Sequence, residues 1–181
     1  DLAENAHGSV LLRYGETAVF ATAVIGKEKD GVYYFPLSVE FEERFYAAGQ
    51  ILGCRFVRRE GRPSEQAILS ARIVDRTISP LFPSYIRNEI QVIITVLAIG
   101  EDDPDVAAVI ASSLALAVSE IPWGGPLSAT RIGIDAQGSH VINPIYTGRG
   151  DLKGEVLACG REGTINMIEV GASEVSEDQI E

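Results

Sequence analysis

Residues 90–99 read IQVIITVLAI, a run rich in β-branched side chains and apolar at odd and even positions alike. Such a run forms a strand buried on both faces, so the fold must be built around it. A run of ten residues is too short to cross a bilayer. The chain has 181 residues, 46% of them hydrophobic and 23% charged, enough for one domain with its own core. That balance excludes a disordered chain, and the 18 glycines show no three-residue period, which excludes a collagenous one.

The segments around this strand have clear patterns. GSVLLRYGETAVFATAVIG reads as a β-hairpin, with Gly15-Glu16 suited to a type II′ turn. VYYFPLSVEF, residues 32–41, reads as a third strand, and Pro36 within it points to an edge or a bulge. Most of 42–62 reads as loop. Ser64 is placed to cap a helix over EQAILSARIVDRTI, which Pro80 and Pro83 bring to an end. After the central strand, Asp103 and Pro104 open a second helix that runs through VAAVIASSLALAV to about Ser119. Two hairpins follow: LSATRIGID with SHVIN, then EVLACG with TINMIEV. The order is three strands, helix, strand, helix and four strands. That is the α+β class, with helices packed on a mostly antiparallel sheet.

The net charge of −11 and pI of about 4.6 argue at first against a nucleic-acid partner. The charge is uneven, however. Residues 50–90 hold 7 arginines against 4 acids, whereas residues 91–181 hold 4 basic and 14 acidic residues. Within GQILGCRFVRREGRPSE, the residues Arg55, Arg58, Arg59 and Arg62 surround Phe56. Guanidinium forks match phosphate oxygens, and an aromatic ring offers a stacking surface for an unpaired base. The segment therefore suits single-stranded nucleic acid gripped without sequence readout. The alternative is a solvated loop whose arginines pair with Glu60, Glu42 or Glu43.

Other candidates carry less. Asp102, Asp103 and Asp105 could be read as a Mg²⁺ site, but a capped, acid-rich helix start explains them. Arg72, Asp75 and Arg76 read as ion pairs on one helix, with Arg76 the member that could instead face a ligand. Cys54 and Cys159 make no disulfide framework and suit a reducing compartment. His7 and His140 are too few to build a zinc site with them. DLAENAH has no basic-then-apolar targeting pattern, and no P-loop, GxGxxG or GxSxG is present. The closing VSEDQIE reads as a helix opening, so 1–181 is expected to be a single domain cut near 176–181.

Several stretches together resemble one family. FPLSVEFEERFYAAGQI, FVRREGRPSEQAILSARIVDRTISPLFP, NEIQVIITVLAI, PDVAAVIASSLALAVSEIPWGGPLSATRIG and VINP are similar to the first RNase PH-like domain of polynucleotide phosphorylases. The similarity runs in register from YGETAVFATAV to VSEDQIE. The resemblance implies an RNase PH-like fold, of the ribosomal protein S5 domain 2-like type. It implies a cytoplasmic trimeric ring with two such domains per subunit. The ring degrades RNA from the 3′ end by phosphorolysis, using Mg²⁺ and inorganic phosphate, and no membrane is involved. Phe56, Val57, Arg58, Arg59 and Glu60 fall on the family's channel loop, with Val57 replacing a second phenylalanine. Phe56, Arg58, Arg59 and Arg62 are therefore the expected RNA contacts.

The resemblance also implies that catalysis belongs to the second such domain, with none of its residues here. The family's phosphate-binding serines fall on Asp103, Pro104 and Asp105, and its metal-holding aspartates fall on Arg149 and Glu155. Carboxylates repel phosphate, proline has no N–H to offer, and a guanidinium cannot ligate a cation. No catalytic residue, metal or cofactor is expected on this chain. The rival expectation is a free-standing, active phosphorolytic nuclease of RNase PH type.

Overall fold

The computed structural model describes residues 2–28, 31–51, 62–177 and 180. Strand β1 (Gly8–Tyr14) and β2 (Thr17–Glu28) form the first hairpin, with Tyr14 opposite Thr17 across a two-residue turn. Gly15 supplies the positive φ (57°) at the first turn position, while Glu16 stays in the ordinary region, as a II′ turn requires. Strand β3 (Leu37–Glu43) starts after Pro36, later than the pattern at 32–41 suggests. Proline lacks the N–H needed to extend the ladder, and β3 is an edge strand. A short 3-10 turn, Phe45–Ala48, lies in the span expected to be loop.

Helix α1 (Glu65–Ile78) begins at Ser64, whose hydroxyl accepts the Ala67 N–H at 2.9 Å. It returns the chain to β4 (Asn88–Ala98), the central strand. A strand–helix–strand crossover of this kind permits parallel pairing, and β3 pairs with β4 in parallel. The first sheet has the order β1-β2-β4-β3. Helix α2 (Pro104–Ala117) follows, and then β5 (Ser128–Ile134), β6 (His140–Ile142), β7 (Gly154–Arg161) and β8 (Thr164–Ala172). These four strands form a second, wholly antiparallel sheet of order β6-β5-β7-β8.

Two sheets thus replace the one sheet expected, because strand pairing is a long-range choice that local pattern does not encode. Helix α2 packs on β1 and β2 of one sheet and on β5 of the other, while α1 packs on β3 and reaches β8. A helix between two layers is buried over most of its surface: Val106, Ala107, Val109, Ala111, Ser113 and Leu116 are all buried, and only Leu114 and Ala117 near its end are exposed. Val92, Ile94 and Val96 of β4 are fully buried at the centre, whereas the opposite face, with Gln91, Ile93, Thr95 and Leu97, is only half-buried, so β4 is central but not buried on both faces as its pattern suggests. Helix α1 hides one face only, leaving Ile68, Leu69, Arg72 and Arg76 exposed.

Candidate functional site

The start of α2 carries the densest charge cluster among the described residues. Thr17, fully buried at the head of β2, holds the approach: its hydroxyl donates to the Asp102 carbonyl and accepts the Gly100 N–H, each at 3.0 Å. Asp103 then caps α2, accepting the Asp105 N–H at 2.9 Å, and Pro104 occupies the first helical position. Capping is as expected, but it is half of what these carboxylates do.

Arg131, on β5, points inward and is 4% exposed at its side chain. Its Nε donates to Asp103, one terminal nitrogen to Asp105 at 3.1 Å and the other to Glu155 of β7 at 3.2 Å. Arg149, from the 3-10 turn Tyr146–Asp151, grips Glu155 bidentately at 2.7 and 2.5 Å and lies 3.7 Å from Asp103. Its guanidinium sits over the Tyr146 ring, 5.5 Å from the centroid. Ser70 of α1 donates to the other oxygen of Asp105 at 2.6 Å. Asn143 braces Arg131 from behind: its side-chain oxygen accepts the Arg131 N–H at 3.0 Å, and its own N–H donates to the Arg131 carbonyl at 2.7 Å.

Two guanidiniums therefore face three carboxylates, tying α1, α2, β5 and β7 together. Burial pushes the Asp105 carboxyl up, as does the neighbouring Asp103, against the Ser70 hydrogen bond and the two arginines. The Arg149 hydrogen bonds hold Glu155 below the usual carboxylate range and raise Arg149 in turn. All three nitrogens of Arg131 are used, and the Asp105 N–H is taken by Asp103. A phosphate arriving at this helix start would meet carboxylates and an imide nitrogen. A divalent cation does not fit either, since guanidiniums already lie between the carboxylates.

Asp103, Asp105, Arg149 and Glu155, distant in sequence, are thus brought into one cluster. Asp102 takes no part in its ion pairs and instead lies against the Gly15 turn. Sequence reasoning missed Arg131, Ser70 and Asn143. One signal was available: alternation along β5 puts Arg131 on the inward face with Ala129 and Gly133, where small neighbours leave room for a long side chain.

The second region lies between edge strand β3 and α1, where a groove of about 760 Å³ is lined by Val39, Phe41, Glu43, Arg44, Arg62 and Ile68 among others. Arg62 is exposed at its rim. Glu42 pairs with Arg44 at 2.6 Å, and Glu43 accepts the Ser64 hydroxyl at 2.6 Å. Phe56, Arg58 and Arg59, with Cys54, lie outside the described residues. Asp75 is pushed up by burial and partly held down by neighbouring Arg76. Cys159 is buried in the core, and burial pushes its thiol up. Among the described residues no helix is long and apolar enough to cross a membrane.

Residues 1–122 match the model of the 3′ exoribonuclease family, domain 1, and the chain belongs to that family. Within the family, it is similar to the polyribonucleotide nucleotidyltransferases. That of Thermomicrobium roseum is 50% identical over 180 residues, and that of Halalkalibacterium halodurans 49% over 179 residues, each covering 98% of this chain. The chain spans only 22% and 25% of their respective lengths, about a quarter. The fold is shared with rice Rrp46 (TM-score 0.77, 17% identity, 99% of this chain and 81% of that one). It is shared too with a chain of the Archaeoglobus fulgidus exosome with RNA bound to the active site (TM-score 0.75, 17% identity, 99% and 78%). The RNase PH-like fold expected from RREGRPSE and its companion stretches is the one observed.

Proposed function

We propose that this chain is the non-catalytic, first RNase PH-like domain of a polyribonucleotide nucleotidyltransferase. The whole protein would shorten RNA from its 3′ end by phosphorolysis, using Mg²⁺ and inorganic phosphate held elsewhere than on this chain. The observation that carries the non-catalytic reading is the Arg131–Arg149 cluster. Phosphoryl transfer needs groups free to neutralise the reacting phosphate and its metal. Here the cationic groups are engaged by Asp103, Asp105 and Glu155.

The domain's part is to build a homotrimeric ring and to hold single-stranded RNA through Phe56, Arg58, Arg59 and Arg62. Exposed apolar side chains on the second sheet, among them Ile142 (71%), Ile165 (62%) and Ile168 (58%), support an assembled state that covers them. A buried free Cys159 suits the reducing cytoplasm. The test is Arg58→Ala with Arg59→Ala in the assembled protein. RNA affinity should fall at least about tenfold. The slope of log K against log salt should shrink by about 0.7 for each phosphate of the single strand that is no longer neutralised. Unchanged affinity and slope would remove the RNA-contact role. Diphosphate release from RNA by the 181-residue chain alone, with Mg²⁺ and phosphate, would remove the non-catalytic one.

A further inference from the structure

We infer that Glu43 is a positioning residue for the RNA contact: through Ser64 it sets where the chain returns to α1, and so where Arg62 stands at the groove. This rests on the RNA-binding reading above. The Ser64 hydroxyl has two partners. Accepting from the Ala67 N–H at 2.9 Å is the helix cap. Donating to Glu43 Oε2 at 2.6 Å is not required by capping, and it joins residues twenty-one positions apart.

Glu43 is the last residue of β3 and is held in register opposite Val96 of β4. The outgoing end of the intervening segment is tied down separately, with the Ile99 N–H donating to the Ala47 carbonyl at 3.0 Å and the Gln50 N–H to the Phe45 carbonyl at 3.0 Å. Glu43 and Ser64 secure the returning end. Pro63 links Ser64 to Arg62, and its fixed φ passes the anchored direction on with little backbone freedom. Arg62 is exposed and has no ion-pair partner among the described residues. An anchored guanidinium with open donors is arranged for an external phosphate oxygen.

The experiment measures binding of a fluorescein-labelled oligoadenylate to the assembled protein, across a salt series, with thermal melting of each variant. Ser64→Asp keeps a good helix cap but sets two carboxylates against each other, so it breaks the tie alone. Glu43→Ala removes the acceptor, and Glu43→Gln retains one. Ser64→Asp and Glu43→Ala should each weaken binding about fivefold, the effect of one hydrogen bond, with melting lowered by no more than the about 2–4 °C that one lost hydrogen bond accounts for. The salt slope should shrink by about 0.7, the equivalent of one neutralised phosphate. Glu43→Gln should bind as the unaltered protein does.

Unaltered affinity and slope in Ser64→Asp and Glu43→Ala overturn the positioning role. So does a loss that Glu43→Gln fails to restore, or one that appears only together with a melting drop of more than about 6 °C, beyond what one lost hydrogen bond accounts for. Arg58→Ala with Arg59→Ala, run in parallel, separates the two levels. Weakening there without weakening in Glu43→Ala overturns positioning alone, whereas no weakening in either overturns the RNA reading beneath it.

Discussion

Replacing Arg131 by methionine tests the buried cluster directly. The substitution keeps most of the side-chain volume and removes the charge. Asp103 and Asp105, 2% and 4% exposed at their side chains, then lose their main counter-ion, and Arg149 is too distant at 3.7 Å from Asp103 to replace it fully. Breaking a buried pair from one side costs about 3–5 kcal/mol, because the remaining charge stays buried. In a chain of this size each kcal/mol moves Tm by about 2–4 °C, so Tm should fall by at least about 6 °C. Urea unfolding of the 181-residue chain should show a lower midpoint with an unchanged m-value. Adding Asp103→Asn and Asp105→Asn removes the orphaned charges, keeps an Asn cap on α2, and should restore at least about 2 kcal/mol. In the single variant acidification should also help. The Asp105 carboxyl already sits above its usual range, and without Arg131 it rises further. A carboxyl whose folded pKa is raised binds its proton more tightly in the fold, so stability grows as pH falls through that raised value. A loss under about 1 kcal/mol for Arg131→Met, or no recovery in the triple variant, would refute the cluster as a desolvated counter-ion network.

Glu155 has the opposite sign. Its folded pKa is depressed, so its contribution is complete above the ordinary carboxylate range and is lost as pH falls through the lowered value. Glu155→Gln should flatten the acid side of the Tm-against-pH curve, and an unchanged acid limb would contradict the Arg149 pairing. Gly15→Ala should destabilise the chain by about 1–2 kcal/mol from the left-handed backbone alone. A methyl group there would also press on the Asp102 carboxylate, which urea unfolding should register as a larger loss.

Much of the local structure was legible in the residues. The Gly15-Glu16 turn, the Ser64 and Asp103 caps, the β-branched β4 and the small-residue α2 all follow from rules acting within a few positions. The start of β3 at Leu37 shows a local rule outweighing a local pattern, since Pro36 keeps the strand from starting earlier despite the apolar residues before it. The split into two sheets was not legible, because hairpins of like pattern pair equally well until long-range contacts choose between them. At the site, the family resemblance supplied Asp103, Asp105, Arg149 and Glu155, yet their relation to one another depended on a residue with no motif around it.

The sequence by itself determined the elements, the family and the single basic window in an acidic chain, because propensity, capping and composition are properties of neighbouring residues. Tertiary structure decided what the charges do. Asp103 and Asp105 read in sequence as a helix start that repels phosphate, and in the fold they are the buried partners of Arg131. The reason is distance: Arg131 follows Asp103 by 28 positions, and only the packing of β5 against α2 brings their side chains together in a place without water.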